Sequence, residues 1–166
     1  MRNIDLHVHS NYSDGSETTE ELVKLAIKAN LAAFALTDHD TTDGYQSLSE
    51  AASRHNAGLP KDEQLEVLPG VEISAAYKSG DIHILGLLVE PDNDEFNALL
   101  KEAEKERIAR NIKMVENLKN AGLPISYDEI VAASPDSIIT RAHFGKYLVE
   151  KGIVKDYPSA FELYLG

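Results

Sequence analysis

The chain has 166 residues, of which 43% are hydrophobic and 27% charged, a balance typical of one globular domain or of a domain with a small appended subdomain. Its formal net charge of −12 argues against the broad contact with nucleic-acid backbones that a basic face provides, and so against duplex DNA as a partner. It has no cysteine, which excludes disulfides, thiolate metal sites and thiol nucleophiles. No apolar run approaches the roughly 18 residues of a membrane-spanning helix and no signal segment precedes the first apolar run, so we expect a cytoplasmic protein without a membrane partner.

The N-terminal part of the chain alternates between apolar runs and amphipathic segments. Residues 32–36 are apolar without alternation, as expected for a parallel strand that is covered on both faces. Thr18 and Glu21 have the spacing of a capping box, which predicts a helix starting at that point. The full prediction is strands at 3–8, 32–36, 65–71 and 82–89, with helices from residue 18 and over 44–54.

The C-terminal part is predicted to be entirely helical. A long charged segment over residues 93–121 carries Ile108, Ile112, Val115 and Leu118 at helical spacing and ends at Gly122. Ser126 and Glu129 form a second capping-box pattern, and further helices are predicted over 140–151 and 158–165. We therefore divide the chain into an α/β part, residues 1–92, and a helical part, residues 93–166.

Metal-ligating residue types recur at or beside the predicted strands. His7 and His9 lie two positions apart in an extended segment, so their side chains point the same way and can reach one ion. Asp14 and His39 could hold a second ion. Glu72 has two oxygens that could bridge neighbouring ions, and His83 could serve another ion. Because ligands of parallel α/β folds gather at the carboxyl ends of the strands, we expect one shared pocket.

The acidic and hydroxyl residues around these histidines have two interpretations. Asp38 and Asp40 flank His39 in a tight turn, and either ligation or turn capping with orientation of the imidazole is compatible with the sequence. Ser10 and Ser13 have no histidine and acid partner placed by the sequence to make a nucleophile, so we expect them to form hydrogen bonds within the loop.

Other polar residues have simpler interpretations. Asp43 is expected to cap a helix, His55 to lie on a solvated helix surface, and residues 101–110 to form a solvated, salt-bridged helix face. Arg141 and His143 open a predicted helix, where they could be surface and capping residues or could recognise a phosphate.

The segments that carry these residues closely resemble the PHP (polymerase and histidinol phosphatase) superfamily. They are DLHVHS at 5–10, YSDG at 12–15, LTDHDT at 36–41, PGVEIS at 69–74 and DIHILG at 81–86. The branch that the chain resembles is the YciV/TrpH type of metal-dependent phosphoesterases, in which a helical insertion follows the fourth strand. ITRAHF at 139–144 resembles a segment of that insertion.

The resemblance implies a distorted (β/α)7 barrel, of which residues 1–92 would be the N-terminal part and residues 93–166 the helical insertion subdomain. It implies a trinuclear centre of divalent Mn, Zn or Fe, and contacts of Arg141 and His143 with a substrate phosphate. The implied activity is hydrolysis of phosphate esters of nucleotides, such as nucleoside 3′,5′-bisphosphates, by a metal-activated water. Metal-ligating and catalytic roles are implied for His7, His9, Asp14, His39, Glu72 and His83.

Two alternatives stand beside this activity. The same chemistry would suit a 5′-to-3′ exonuclease on short RNA. The chain could also be a non-catalytic metal-binding fragment, because the later strands, the His-Pro motif and the Gly-Ser-Asp-x-His motif of the family do not occur in it. On this view the chain is an N-terminal portion ending at Gly166, and the open edge of an unclosed barrel could support a dimer.

Overall fold

The computed structural model describes residues 2–77 and 80–166, and the predicted order of elements is confirmed over them. Strands and helices alternate in the first part and helices alone make up the second. The elements are β1 (Asn3–Val8), α1 (Thr19–Lys28), β2 (Leu31–Leu36), α2 (Gly44–Asn56), β3 (Glu66–Tyr77), β4 (Gly80–Leu87), α3 (Asp94–Asn120), α4 (Tyr127–Ala133), α5 (Arg141–Glu150), α6 (Tyr157–Ala160) and a π-helical turn (Phe161–Leu165).

The chain forms two compact units, and the division between them falls inside α3. Unit 1 comprises residues 1–103 and unit 2 comprises residues 104–166. The predicted domain boundary between residues 92 and 93 stays a prediction. Within the described residues, no helix is both long and apolar enough to cross a membrane.

Unit 1 is built on a mixed four-stranded sheet in the order β1-β2-β3-β4. The first three strands are parallel, while β4 returns antiparallel to β3. Pairing continues past the end of β2, because the amide of Glu72 donates to the carbonyl of Asp38 and the amide of Asp40 donates to the carbonyl of Glu72, each at 3.0 Å. This bridge sets His39 beside Glu72.

Two helices bury one part of this sheet. The predicted capping box at the start of α1 is confirmed: Thr18 Oγ1 accepts from the amide of Glu21, and the Glu21 carboxylate accepts from the amide of Thr18. Phe34 on β2 and Leu48 on α2 are fully buried in the resulting core. The cluster consists of Leu22, Val23, Ala26, Phe34, Leu36, Leu48, Ala51, Ala52 and Leu65.

The two outer strands of the sheet carry exposed apolar side chains. Ile4 on β1 is 62% exposed, and on β4 both Ile84 and Leu85 are exposed although they point to opposite faces. β4 pairs with β3 on one side and is an edge of the sheet as described. The expected open edge is therefore present in unit 1, while the dimer that it could support stays a prediction.

The core of unit 2 corrects the predicted buried face of α3. Val115 and Leu118 are buried as expected, but Ile108 and Ile112 are 40% and 47% exposed. Their places in the buried stripe are taken by Arg107 and Asn111, which are 6% and 1% exposed. The prediction that residues 101–110 form a wholly solvated face is thus wrong at Arg107. Asn111 can be buried because its amide donates to the carbonyl of Ile139 at 2.8 Å.

The later helices end and begin close to the predicted residues. Gly122 follows α3 with φ of +86°, a left-handed conformation that glycine adopts without strain. The second capping box is only half formed, since Ser126 Oγ accepts from the amide of Glu129 without a reciprocal bond. The helix predicted over 158–165 is instead α6 followed by the π-helical turn.

Candidate metal centre

Unit 1 brings all six predicted ligands together from five segments of the chain. They form three overlapping groups whose ligand atoms lie within 4.8 Å of one another. His7 and His9 come from the end of β1, Asp14 from the loop that follows, and His39 from the turn after β2. The groups are His7, His9 and Glu72; His9, Asp14 and His39; and His39, Glu72 and His83.

The positions of two ligands correct the expectation that all of them lie at carboxyl ends of strands. Glu72 and His83 lie inside β3 and β4, which form an antiparallel pair. Ser74 pairs with His83 and Glu72 with Leu85 across this ladder. The pairing still brings the carboxylate of Glu72 to the ring of His83, since the two residues are diagonal neighbours on adjacent strands.

Glu72 is the centre of the cluster. Its side chain is buried, and its Oε2 lies 3.0 Å from Nε2 of His7 and 3.0 Å from Nε2 of His9. Its Oε1 lies 2.7 Å from Nδ1 of His83. One carboxylate therefore contacts three imidazoles through both of its oxygens, as a bridging ligand would require.

Asp14 joins the remaining ring to the cluster. Its Oδ1 lies 3.2 Å from Nδ1 of His9, and its Oδ2 lies 3.3 Å from Nε2 of His39. The other nitrogen of His39, Nδ1, is buried and has no hydrogen-bond partner among the described residues, with Glu72 Oε2 at 3.6 Å. Successive ring centroids are 4.8 Å apart for His9 and His39 and 5.0 Å apart for His39 and His83.

The two carboxylates are held in their ionised form. Burial alone would raise the pKa of Asp14, but hydrogen bonds from His39 and His9 hold that pKa well below its usual range. Burial also opposes ionisation of Glu72, yet the hydrogen bond from His7 and the charges of His39 and His9 lower its pKa. For His9 the burial that would lower the pKa is outweighed by Asp14 and Glu72, so its pKa is raised. Both acids are thus available as anionic ligands at neutral pH.

The contacts of His9 show that the cluster fits a cation. A neutral imidazole has one N–H donor and one lone pair, but both nitrogens of His9 face carboxylate oxygens. In the neutral ring one lone pair would therefore point at an anion, and His39 Nδ1 has no hydrogen-bond partner within the described part of the chain. Protonation of His9 or a bound cation relieves this conflict. Imidazole nitrogen with carboxylate oxygen is a donor set that suits divalent Zn, Mn and Fe.

The turn around His39 favours the capping interpretation of its two aspartates. Asp38 is 1% exposed and accepts hydrogen bonds from the amide and hydroxyl of Ser10 and from the hydroxyl of Ser13. Asp40 Oδ1 accepts from the amide of Ser74 at 2.8 Å. The expected bond within the loop is present for Ser10, whose Oγ accepts from the amide of Tyr12 at 3.2 Å, but both hydroxyls donate to Asp38 outside the loop. Their common partner was not predicted, because Asp38 lies 25 and 28 positions away and no local pattern links them.

The other polar residues lie outside the three groups. Asp43 occupies the N-cap position of α2, but its side chain makes no capping hydrogen bond, so the expected cap is wrong in that respect. His55 is half-buried in the last turn of α2. Arg141 and His143 belong to unit 2, where Arg141 is the exposed first residue of α5. His143 Nδ1 accepts from the amide of Thr140 at 3.0 Å, which gives it a capping role.

Comparison with known proteins identifies the family of the chain. The model of the PHP domain matches residues 5–165. The chain belongs to the PHP domain family. It is 37% identical over 166 residues to the 3′,5′-nucleoside bisphosphate phosphatase of Chromobacterium violaceum, covering 99% of this chain and 55% of that protein. It is 36% identical to the 5′-3′ exoribonuclease of Haemophilus influenzae, covering 99% of this chain and 57% of the relative.

Solved structures confirm the partial PHP barrel. An amidohydrolase from Chromobacterium violaceum, solved with sulfate and no metal, superposes with a TM-score of 0.86 at 35% identity, covering 99% of this chain and 55% of that one. A structure from Bifidobacterium adolescentis gives a TM-score of 0.85 at 30% identity, covering 99% of this PHP chain and 56% of its own. The chain thus spans about half the length of the curated relatives it matches.

Proposed function

We propose that this PHP chain belongs to a metal-dependent phosphoesterase that hydrolyses phosphate esters of nucleotides, such as nucleoside 3′,5′-bisphosphates. The observation that carries the proposal is the clustering of four imidazoles around the carboxylates of Asp14 and Glu72. The likeness to a nucleoside bisphosphate phosphatase over 99% of the chain supports the substrate class.

The cluster suits as many as three divalent cations of Mn, Zn or Fe. A neutral imidazole ligates through one nitrogen, so each ring serves one ion. The closest contacts favour His7 and His9 with Glu72 for the first ion. Asp14 and His39 then remain for the second, and His83 with the other oxygen of Glu72 for the third. Each set is small, which leaves coordination positions for substrate and for other ligands.

The side chains of the cluster have distinct tasks in this proposal. Bound divalent cations supply Lewis acidity and lower the pKa of water, the usual basis of phosphate ester hydrolysis at such centres. Glu72 links the sets through its two oxygens, and Asp14 orients the rings of His9 and His39. The buried position of Glu72 removes competing water from its oxygens.

Arg141 and His143 are proposed to recognise a substrate phosphate. A guanidinium pairs with phosphate through two parallel hydrogen bonds and stays charged at all physiological pH values. Arg141 is exposed at the first residue of α5, and that helix terminus also favours anions. His143 caps α5 through the bond of its Nδ1 to the Thr140 amide, and its place beside Arg141 in the first turn of that helix supports a contact with the same phosphate.

The decisive test replaces Glu72 by Gln, which keeps the side-chain shape and removes the charge. We expect metal content after dialysis to fall by more than about tenfold, and phosphate release from a nucleoside 3′,5′-bisphosphate to fall with it. Asp43→Asn is the matched control, because Asp43 is exposed and lies outside all three groups. A Glu72→Gln chain with the metal content and activity of the wild type would refute the assignment.

A second candidate activity is 5′-to-3′ cleavage of short RNA. The similarity to exoribonucleases of Haemophilus influenzae and Escherichia coli supports it, the latter at 34% identity over 98% of the chain. Turnover of a nucleoside 3′,5′-bisphosphate is to be compared with turnover of a pentaribonucleotide. Faster hydrolysis of the bisphosphate favours the phosphatase, and faster trimming of the pentanucleotide favours the exonuclease.

The chain alone could instead bind metal without catalysis. Metal uptake without phosphate release by residues 1–166 would favour this view, while robust turnover would exclude it.

The dimer through the β4 edge is tested by sedimentation at several protein concentrations. The cytoplasmic location predicted from the sequence stays a prediction.

A further inference from the structure

The loop that carries two of the candidate ligands is tied to the turn that carries a third. His9 and Asp14 flank the loop, and Ser10 and Ser13 lie between them. Asp38, directly before His39, accepts from the Ser10 amide at 2.8 Å and from its hydroxyl at 2.6 Å. It also accepts from the Ser13 hydroxyl at 2.6 Å.

Asp38 is not placed to act as a ligand itself. It is 1% exposed, it lies outside the three candidate metal groups, and both of its oxygens are occupied by these donors. A buried carboxylate needs such partners, because an unpaired one would carry the full penalty of lost hydration. The three donors all come from one short loop, so the carboxylate fixes the loop against the end of β2.

Other residues of the loop form hydrogen bonds with Ser10, the residue that Asp38 also binds. The carbonyl of Ser10 accepts from the amides of Ser13 at 3.1 Å and Gly15 at 3.0 Å. Fixing Ser10 therefore fixes both the turn and its far end, next to Asp14. This attachment therefore helps to set the distances from His9 and Asp14 to His39, together with the bond from the Thr37 amide to the Val8 carbonyl.

We propose that Asp38 is a positioning residue, which holds the ligand-bearing loop in the conformation that binds metal before the metal arrives. The inference rests on the proposed function. Its physical basis is that the observed metal affinity equals the affinity of the correctly formed site multiplied by the fraction of time that the site is formed. A loop that is correctly placed about one tenth of the time binds about ten times more weakly.

The test compares Asp38→Ala with Asp38→Asn in the 166-residue chain, with Mn²⁺ titrated calorimetrically into metal-free protein. Alanine removes all three hydrogen bonds. Asparagine keeps an oxygen for the Ser10 amide and the Ser13 hydroxyl and offers an amide to the Ser10 hydroxyl, so it preserves the attachment while removing the charge. We expect alanine to weaken Mn²⁺ binding roughly tenfold or more, asparagine to restore most of the affinity, and Asp43→Ala to change nothing.

Two measurements keep the outcome decisive. Ser13→Ala removes one of the three bonds and replaces Asp38→Ala in the test if that variant does not fold. We expect Ser13→Ala to bind Mn²⁺ more weakly and to show faster hydrogen exchange of the Ser10 amide. Unchanged affinity in the folded Ala variants would overturn the proposal, and so would failure of Asp38→Asn to restore binding, since charge alone would then be responsible. If the wild type binds neither Mn²⁺ nor Zn²⁺ nor Fe²⁺, the proposed function fails, and protection of the Ser10 amide in metal-free protein decides whether Asp38 holds the loop.

Discussion

Gly15 is the position in the ligand loop where a single methyl group should disturb the metal centre. A Cβ at residue 15 would collide with the carbonyl oxygen of His9, and it would lie 2.5 Å from the carbonyl carbon of His9 and 2.8 Å from that of Ser10. Non-bonded carbon atoms prefer separations of about 3.5–4.0 Å. In Gly15→Ala the backbone of His9 must therefore move away from the new Cβ by roughly 1 Å.

A movement of this size is larger than a metal site tolerates. Binding constellations need their groups within about 0.5 Å of the productive geometry. We expect Gly15→Ala to weaken Mn²⁺ binding by at least about tenfold and, where the protein is active, to lower turnover by up to about 10²-fold. Forcing extra volume against packed backbone should also lower the free energy of unfolding by about 1–3 kcal/mol.

The assay pairs calorimetric titration of Mn²⁺ with urea denaturation of the metal-free chain, and Gly58→Ala is the control. Gly58 has φ of +83° and nothing within 4 Å of the added carbon, so alanine there costs about 1–2 kcal/mol of backbone strain without touching the site. We expect both variants to lose similar stability and only Gly15→Ala to lose affinity. Equal affinity in the two variants would refute the steric reasoning.

Two further predictions concern the core of unit 1 and the helical unit. Leu48→Ala removes a fully buried side chain and should lower the free energy of unfolding by about 2–5 kcal/mol in urea denaturation, and a loss within 0.5 kcal/mol would contradict the described core. Arg141→Ala should raise KM for a nucleoside 3′,5′-bisphosphate while metal content stays unchanged, with Lys146→Ala, exposed on the same helix, as the control. A KM equal to that of the wild type would remove Arg141 from the phosphate site.

Features that depend on a few neighbouring residues could be predicted from the sequence. Thr18 and Glu21 form their capping box because every atom involved belongs to one turn of chain. His7 and His9 reach the same carboxylate because side chains two positions apart in a strand share a face. Glu72 is a candidate from its place directly after a predicted strand, and the family resemblance implies its metal-ligating role.

Features that depend on distant segments could not be predicted. Periodicity places Ile108 and Ile112 on an apolar face of α3, but it does not reveal that Ile139 offers a carbonyl to Asn111 and so makes a polar residue buriable. Strand direction is equally non-local. The antiparallel return of β4, which sets His83 beside Glu72 from within a strand, is fixed by the pairing of whole strands.

The composition of the candidate centre explains how an acidic chain can attract a phosphate ester. The three groups contain four imidazoles but only two carboxylates, Asp14 and Glu72, so the metal-free ligands carry little negative charge. Asp38, which precedes His39 in the chain, accepts hydrogen bonds from three uncharged donors and lies outside these groups. Two dications would leave these ligands with an excess of about two positive charges, and a third would add to it. In a chain with a net charge of −12, bound dications would therefore supply local positive charge for a phosphate, and we expect substrate affinity to depend on metal content.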